Sequence, residues 1–455
     1  MSHARDVSAL PFAASIPTHN SRSPRRLPLS YWGFSAGPEG LTLNGQPLSG
    51  LAHRFGTPLY VFDEARLRQN IRAAREASDA HLHADLHYSF KTNPVPRVAA
   101  IAREEGLGAE VISQRELRTA LGHGFDPSRV IFNGPGKRDE DLALAVEHGV
   151  LVQVESASEA RALAVAAESV GRMARAGLRV NPNVYDPRAG TGTRMGARAS
   201  VFGMDPTGAE FDEAVAVLAT SPHVTLESVS ASIGTGIIST EPFAHLTRVL
   251  VAVRARLAAR GIRTRRLDGG GGFAVPSEVR YEDGGIDAIA AGREVAVPAP
   301  GQITSFAEVC RAMAAELMAD PPEQFVLEPG RLLVADAFHL VTRVVRLKTE
   351  GGQRFAVLDG GRTQNGMFVA RGYHEIVHVG SPDAPPAQRY TLVGPLCATF
   401  DTYAERDLPE LREGDLVAVL DVGAYNLSAQ SRWCFDPAPV VALAGGAAQL
   451  VPTHA

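Results

Sequence analysis

Between Leu86 and Ser113 the chain reads LHYSFKTNPVPRVAAIAREEGLGAEVIS, with two short β-rich runs, LHYSF and AEVIS, on either side of a helical stretch. Strand, helix and strand in that order form a βα unit whose strands lie parallel. The pattern continues outward. VIFN (Val130 to Asn133), LVQVE (Leu151 to Glu155), LRVNP (Leu178 to Pro182), ESVSAS (Glu227 to Ser232), RRLDG (Arg265 to Gly269) and FVLEP (Phe325 to Pro329) follow. Amphipathic stretches such as DEDLALAVEHG and SEARALAVAAESVGRMA lie between them, with Asp or Ser near their starts as helix caps. The runs number eight, the count that closes a parallel barrel and brings every strand end to one functional face. A doubly wound open sheet is the competing arrangement.

Beyond Arg331 the texture changes to valine-rich strands with Gly, Asp and Pro turns, as in HLVTRVVRLKT, RFAVLDGG, DLVAVLDVGAY and PVVAL. This reads as an antiparallel β domain. The expected fold class is therefore α/β: a (β/α)8 TIM barrel over residues 58–335 and a second, C-terminal antiparallel β domain over 336–455. Residues 27–57, with the turn LTLNGQPLSG, are expected to join the β domain, and residues 1–26 to form a flexible arm. Tyr281 to Gln302, rich in Gly, Ala and Pro, reads as a long loop.

Composition narrows the function. At 455 residues, with 45% hydrophobic and 21% charged residues, the chain is an ordinary globular protein. A net charge of −5 gives no footprint for nucleic acid or an anionic membrane. No apolar run approaches the ~20 residues of a spanning helix, and the N-terminus lacks the basic start of a signal peptide. Cys310, Cys397 and Cys434 are too few and scattered for a disulfide framework or a zinc cluster. A cytoplasmic location and no metal are the expectations. Cys310, in AEVCRAMAAEL, reads as core, and Cys434 has no motif around it.

Three motifs fall at the carboxyl ends of predicted strands. YSFKTNP puts Lys91 just past the first strand, in the barrel mouth. LDGGGGF, Leu267 to Phe273, offers four glycines whose N–H groups can approach an anion closely. LEPGR, Leu327 to Arg331, holds a carboxylate and a guanidinium on a Pro-Gly turn, where each needs a partner. Taken singly, a lysine is usually a solvated charge and a Gly run a flexible turn; Asp268 reads as a turn cap.

Together, in this order and spacing, these motifs resemble the diaminopimelate and ornithine decarboxylases, the fold-type III group of pyridoxal-phosphate enzymes on the alanine-racemase-like barrel. The resemblance runs from GTPLYVFDEARLRQNIR at Gly56 to DVGAYNLSAQS at Asp421, through VISQRELRTALGHGFDPSRVIFNGPGK and GPLCATFD. It implies pyridoxal 5'-phosphate (PLP) as cofactor and decarboxylation of a small-molecule amino acid or its conjugate. It implies that Lys91 carries the cofactor covalently, partly neutral through burial. Gly270, Gly271, Gly272, Arg331 and Tyr425 would hold the cofactor phosphate, with Ser232, Gly234 and Thr235 beside them. Glu328 would pair with the pyridine nitrogen, and Cys397 would return a proton once carbon dioxide leaves. Asp401, Arg371 and Tyr373 would contact the substrate. The β-domain residues would come from the opposite subunit, implying a homodimer with shared active sites.

Departures bear on the substrate. SIGTG puts Ser232 where the family commonly stacks a histidine on the cofactor ring. Aligning on Tyr373–His374 puts Gly366 and Ala370 where the diaminopimelate enzymes carry an arginine and a tyrosine. Ala398 replaces the glutamate after the cysteine, and SVFG at Ser200 lacks the usual basic residue. These suggest a specialised decarboxylase, acting on a modified or conjugated amino acid in siderophore or natural-product biosynthesis. Diaminopimelate decarboxylation, amino-acid racemization and non-catalytic cofactor binding are the alternatives; racemization needs a base on each face of the substrate carbon.

Overall fold

The computed structural model describes residues 25–184, 200–277, 298–366, 373–398 and 401–453. The chain opens with a small antiparallel sheet of β1 (Phe34–Gly37), β2 (Gly40–Leu43) and β3 (Gln46–Pro47), then a helix Leu48–Phe55 and strand β4 (Leu59–Asp63). Eight parallel strands follow: β5 (Asp85–Ser89), β6 (Gly108–Val111), β7 (Val130–Phe132), β8 (Leu151–Val154), β9 (Ala174–Val180), β10 (Val224–Ala231), β11 (Arg266–Asp268) and β12 (Gln324–Leu327). They close into a barrel in chain order, with β12 pairing β5. Every run read from the sequence is a barrel strand, and the open-sheet alternative falls. The strands are buried along nearly their whole length, as parallel strands covered by helices must be. Side chains start the outer helices: Ser113 accepts from the N–H of Glu116, Ser156 from Glu159, and Ser305 from Glu308.

Strands β13 (Phe338–Glu350), β14 (Gln353–Leu358), β15 (Ile376–His378), β16 (Gln388–Val393), β17 (Thr402–Leu408), β18 (Leu416–Val419), β19 (Val440–Ala444) and β20 (Ala447–Val451) belong to the second sheet. It is antiparallel except where β14 meets β16 and β19 meets β4. The presence of β4 corrects the expected boundary at residue 58. Leu59–Asp63 lies between β13 and β19, so the barrel segment begins with the helix Glu64–Asp79. The run LYVFD is apolar enough for either sheet, and its backbone pairing with Phe338–Val341 decides the matter. The early strands share a core with this sheet through Trp32, Leu41, Val341 and Ala418. The expected arm is tied down at its end, since the Arg26 N–H donates to Glu375 at 2.6 Å.

Two contacts fix the β domain to the barrel. Asp336 accepts from the Arg66 Nε at 3.0 Å and from Asn70 at 2.6 Å. The loop around Gly423 lies against the chain just past β5: Tyr425 N–H donates to the Thr92 carbonyl at 2.8 Å, and Asn93 donates to the Gly423 carbonyl at 2.9 Å. Among the described residues no helix is long and apolar enough to cross a membrane. Cys310 is fully buried, and burial pushes its thiol up to about 12, the inert core role read from the sequence.

His339, in β13, is fully buried against the Phe34 ring at 4.7 Å, and neither ring nitrogen has a hydrogen-bond partner among the described residues. Burial, and then the Arg66 charge, push its pKa down to about 3. Below about pH 6.5 the unfolded chain takes up a proton here that the folded chain refuses, so stability falls as pH drops from there toward the folded value. The slope from this group approaches about 1.4 kcal/mol per pH unit. Denaturant titrations of His339→Leu between about pH 6.5 and pH 4.5 should lose less stability than the parent; equal losses would clear His339 of any part in acid sensitivity.

Candidate active site

The carboxyl ends of the barrel strands surround a cavity of about 650 Å³. Lys91 reaches it because Phe90–Thr92 forms a single tight turn past β5, anchored by the buried Phe90 ring against Phe125 at 5.6 Å. Behind it, Ser428 donates to the Lys91 carbonyl at 2.9 Å, fixing the backbone from the β-domain side. The Lys91 Nζ lies 2.5 Å from Glu110 Oε2 at the end of β6. Glu110 is fully buried and also accepts from Ser89 Oγ at 2.5 Å and Asn133 at 3.2 Å. The same Asn133 amide donates to Glu328 Oε1 at 2.8 Å, tying the two carboxyls together.

The electrostatics of this cluster correct one expectation. Burial alone disfavours the Lys91 ammonium, but Glu110, Tyr425 and Glu328 outweigh it and raise the lysine pKa above its ordinary value. In the free enzyme the amine is therefore charged, not partly neutral. Burial also disfavours the Glu110 carboxylate, but Lys91 and the hydrogen bonds from Lys91, Ser89 and Asn133 bring its pKa down. Glu328 goes the other way: burial, then Asp268 and Glu110, push it well up. A cation placed against Glu328 would restore its charge.

At the far side of the cavity the glycine run makes a cradle. Gly270 (φ +64°) donates its N–H to Asp268 at 2.9 Å, so that N–H is occupied and Asp268 is the turn cap expected. The N–H groups of Gly271 and Gly272 have no acceptor among the described residues. A Cβ on Gly271 would sit 2.5 Å from the Glu328 carbonyl, and one on Gly272 (φ +104°) 2.6 Å from that of Gly234. Arg331 is buried beside them, its Nη2 3.4 Å from Thr235 Oγ1 and its guanidinium 5.2 Å from the centre of the Tyr425 ring. Tyr425 holds φ +67°, a conformation its N–H bond to Thr92 stabilises. Glycine N–H groups, an arginine and hydroxyls converging on one wall suit a phosphate. The Ser230 Oγ and Asn133 Oδ1, on residues lining the cavity, have no protein partner among the described residues. These polar groups and the lysine opposite fit PLP.

Of the residues singled out from the sequence, Lys91, Ser232, Gly234, Thr235, Gly271, Gly272, Glu328, Arg331 and Tyr425 line this one cavity, Tyr425 from the same chain. Cys397 does not; it is exposed on its own chain. Two substrate assignments are corrected. Asp401 is buried with its carboxylate accepting from the N–H groups of Arg362 at 2.7 Å and Leu396 at 2.8 Å, so it braces its own loop. Tyr373 is buried with its hydroxyl 3.3 Å from Glu375 and its ring against Arg26 and Arg406, away from the cavity. Arg371 and Ala370 lie outside the described residues, as does most of the Tyr281–Gln302 loop. Glu110, Asn133 and Arg179 line the cavity and were missed. Each is a polar residue set among apolar ones in a strand run, in AEVIS, VIFN and LRVNP, and that was the available signal.

Comparison with known proteins agrees with this arrangement. The family described as "Pyridoxal-dependent decarboxylase, pyridoxal binding domain" matches residues 64–335. The chain is 34% identical over 408 residues to a diaminopimelate decarboxylase of Pseudomonas aeruginosa, covering 88% of this chain and 90% of that one. It is 32% identical over 413 residues to the diaminopimelate decarboxylase of Methanothermobacter thermautotrophicus, covering 89% and 90%. Among solved structures, one from Aquifex aeolicus superposes with a TM-score of 0.76 at 27% identity, covering 93% and 95%. In fold, the Helicobacter pylori diaminopimelate decarboxylase complexed with L-lysine is similar as well, with a TM-score of 0.74 at 24% identity over 89% and 95%. A barrel built around a lysine that faces a phosphate cradle, matched over most of its length, makes this chain a member of the fold-type III pyridoxal-dependent decarboxylase family and a PLP-dependent amino-acid decarboxylase.

Proposed function

We propose that the chain decarboxylates diaminopimelate, releasing lysine, in a site that Lys91, Glu110, Glu328 and the glycine cradle assemble. The observation that carries the decarboxylase chemistry is Lys91 facing the cradle across one cavity. The choice of diaminopimelate rests on the relatives, which carry that name at 30–34% identity over most of the chain. A second reading, a substrate altered at its distal end, is favoured by Gly366. A Cβ there would lie 2.2 Å from the Ala429 carbonyl, so the arginine of the diaminopimelate enzymes has no room. Ser232, small and half-buried on the cavity wall, widens the space further. Incubation with meso-diaminopimelate and with amino acids conjugated at the distal end, scored for carbon dioxide and for the amine by mass spectrometry, decides between them. Lysine release supports the first reading; turnover of conjugates alone replaces it with the second.

Bound PLP supplies an electron sink for the pair left behind when the Cα–carboxylate bond breaks. Gly271, Gly272, Thr235 and Arg331 grip the phosphate end. Glu328 sits where its carboxyl can meet the ring nitrogen and regain its charge. Glu110 holds the Lys91 ammonium and takes its proton when the amine has to act as a nucleophile. Removing that carboxylate should lower the lysine pKa, because an opposite charge at this distance raises it by about one to three units. Capture of PLP on Lys91, trapped with borohydride and followed against pH, should therefore have its midpoint lowered by about that amount in Glu110→Gln. An unchanged midpoint would remove Glu110 from this role.

Cys397 is exposed in a loop of the β domain, and support for its catalytic role is the GPLC motif. In the proposed homodimer the Cys397 of a second copy delivers the proton that replaces the lost carboxylate, and solvent reprotonates the thiolate. Each site is then built from two chains. Heterodimers of Lys91→Ala and Cys397→Ala subunits, co-expressed with two tags, should regain about half of the parent dimer's activity, one intact composite site in two. Isolated heterodimers that stay inactive while both parents are folded and PLP-loaded would refute the shared site.

A further inference from the structure

At the opposite end of the barrel the first residues of β5, β9, β11 and β12 surround two open cavities of about 530 and 560 Å³, which share Arg175, Arg265 and Glu323. Their walls carry five arginines against three carboxylates, an excess of two positive charges on a chain whose net charge is −5. The carboxylates are already committed. Glu227 gives one oxygen to Arg175 at 2.6 Å and the other to Arg265 at 2.7 Å. Asp85 accepts from Arg129, from Gln324 at 2.7 Å and lies 3.1 Å from His87 Nε2. Glu323 pairs with Arg263 at 2.6 Å.

Arg266 is left over. It is only 5% exposed, lines the second cavity, and forms no ion pair among the described residues. Its Nε donates to a neutral acceptor, Gln324 Oε1, at 2.8 Å, and its buried Nη1 has no acceptor among the described residues. Burial and the facing Arg175 lower its pKa, and the charges of Glu227, Asp268 and Asp85 offset them only in part. A network that only plugs the barrel floor would balance its charges and satisfy its donors. Here a buried guanidinium with an unused N–H borders an open cavity, beside a second guanidinium. Planar arginine forks of this kind match phosphate oxygens.

We propose that this face is a second anion site, for free phosphate or for the phosphate group of a small molecule, separate from the decarboxylation cavity. Arg266, Arg175 and Arg265 hold the oxyanion, and the open mouth leaves room for an attached organic group.

The test uses PLP-saturated enzyme, so that the active-site cradle is already filled. Calorimetry compares inorganic phosphate with glycerol phosphate, at constant ionic strength set with chloride. Arg265→Gln is the first variant, because that side chain is 53% exposed and its loss should leave the fold intact. Arg266→Gln is the second. Phosphate binding that weakens about tenfold in Arg265→Gln supports the site, as does a selenate soak whose anomalous peak lies between Arg265 and Arg266. Tighter binding of glycerol phosphate assigns the site to a phosphorylated metabolite, and equal binding assigns it to the free ion. Absence of phosphate heat from the parent, or binding unchanged in both variants, overturns it.

Discussion

Gly423 lies so close to the segment after β12 that a Cβ on it would fall 1.8 Å from the Val334 carbonyl oxygen. Only a bare backbone fits, and the contact brings the β domain onto the barrel mouth. From it follow the Tyr425 bond to Thr92, the Tyr425 ring beside Arg331, and the Ser428 bond to the Lys91 carbonyl. The barrel supplies the strand ends, but this loop from outside the barrel sets the lysine backbone and closes the phosphate wall. A side chain at position 423 would push the domain away and disturb both ends of the cavity together.

Within the cavity, charge is distributed by competition. Glu110, Asp268 and Glu328 are all nearly or fully buried, and one ammonium cannot neutralise three carboxylates. Glu110 takes it through direct contact, and the other two are pushed toward their neutral forms. Of these three carboxyls, Glu110 thus keeps its charge in a close pair with Lys91, and the Glu328 carboxyl waits for a cationic partner. Asn133 connects the pair to Glu328 through a single amide, so a change at one carboxyl is felt at the other.

The eight barrel strands were legible because each is an apolar run bounded by turn signals, and helices with Ser or Asp caps lie between them. The residues at strand ends were legible through motif order: Lys91, Gly271, Gly272, Glu328 and Arg331 all face one cavity, while Gly270 turns its N–H to Asp268 instead. Strand β4 was assigned to the wrong side of a boundary because LYVFD is equally apolar in either sheet, and only long-range pairing separates them. Tyr373 and Asp401 were misread for a related reason. A motif gives a residue's place along a loop but not which way its side chain turns, and here both turn inward to brace the loop. Glu110 escaped notice because a carboxylate within an apolar run has no periodicity to mark it; its meaning appears only when Lys91 is seen beside it.

The insertion of the whole barrel between β4 and β13 has a consequence for synthesis. The two strands pair residue by residue, Phe62 with Phe338 and Leu59 with Val341, across roughly 275 residues of intervening chain. At a translation rate of about 5–20 residues per second, β4 leaves the ribosome roughly a quarter of a minute to a minute before its partner exists. Throughout that interval LYVFD is an apolar strand with both edges open, a template for pairing with other nascent chains. The barrel can meanwhile fold as a unit, and its completion brings the two ends of the insertion together. Expression yield should therefore depend on what shields that strand during elongation, which makes chaperone supply a determinant of how much of this enzyme a cell can produce.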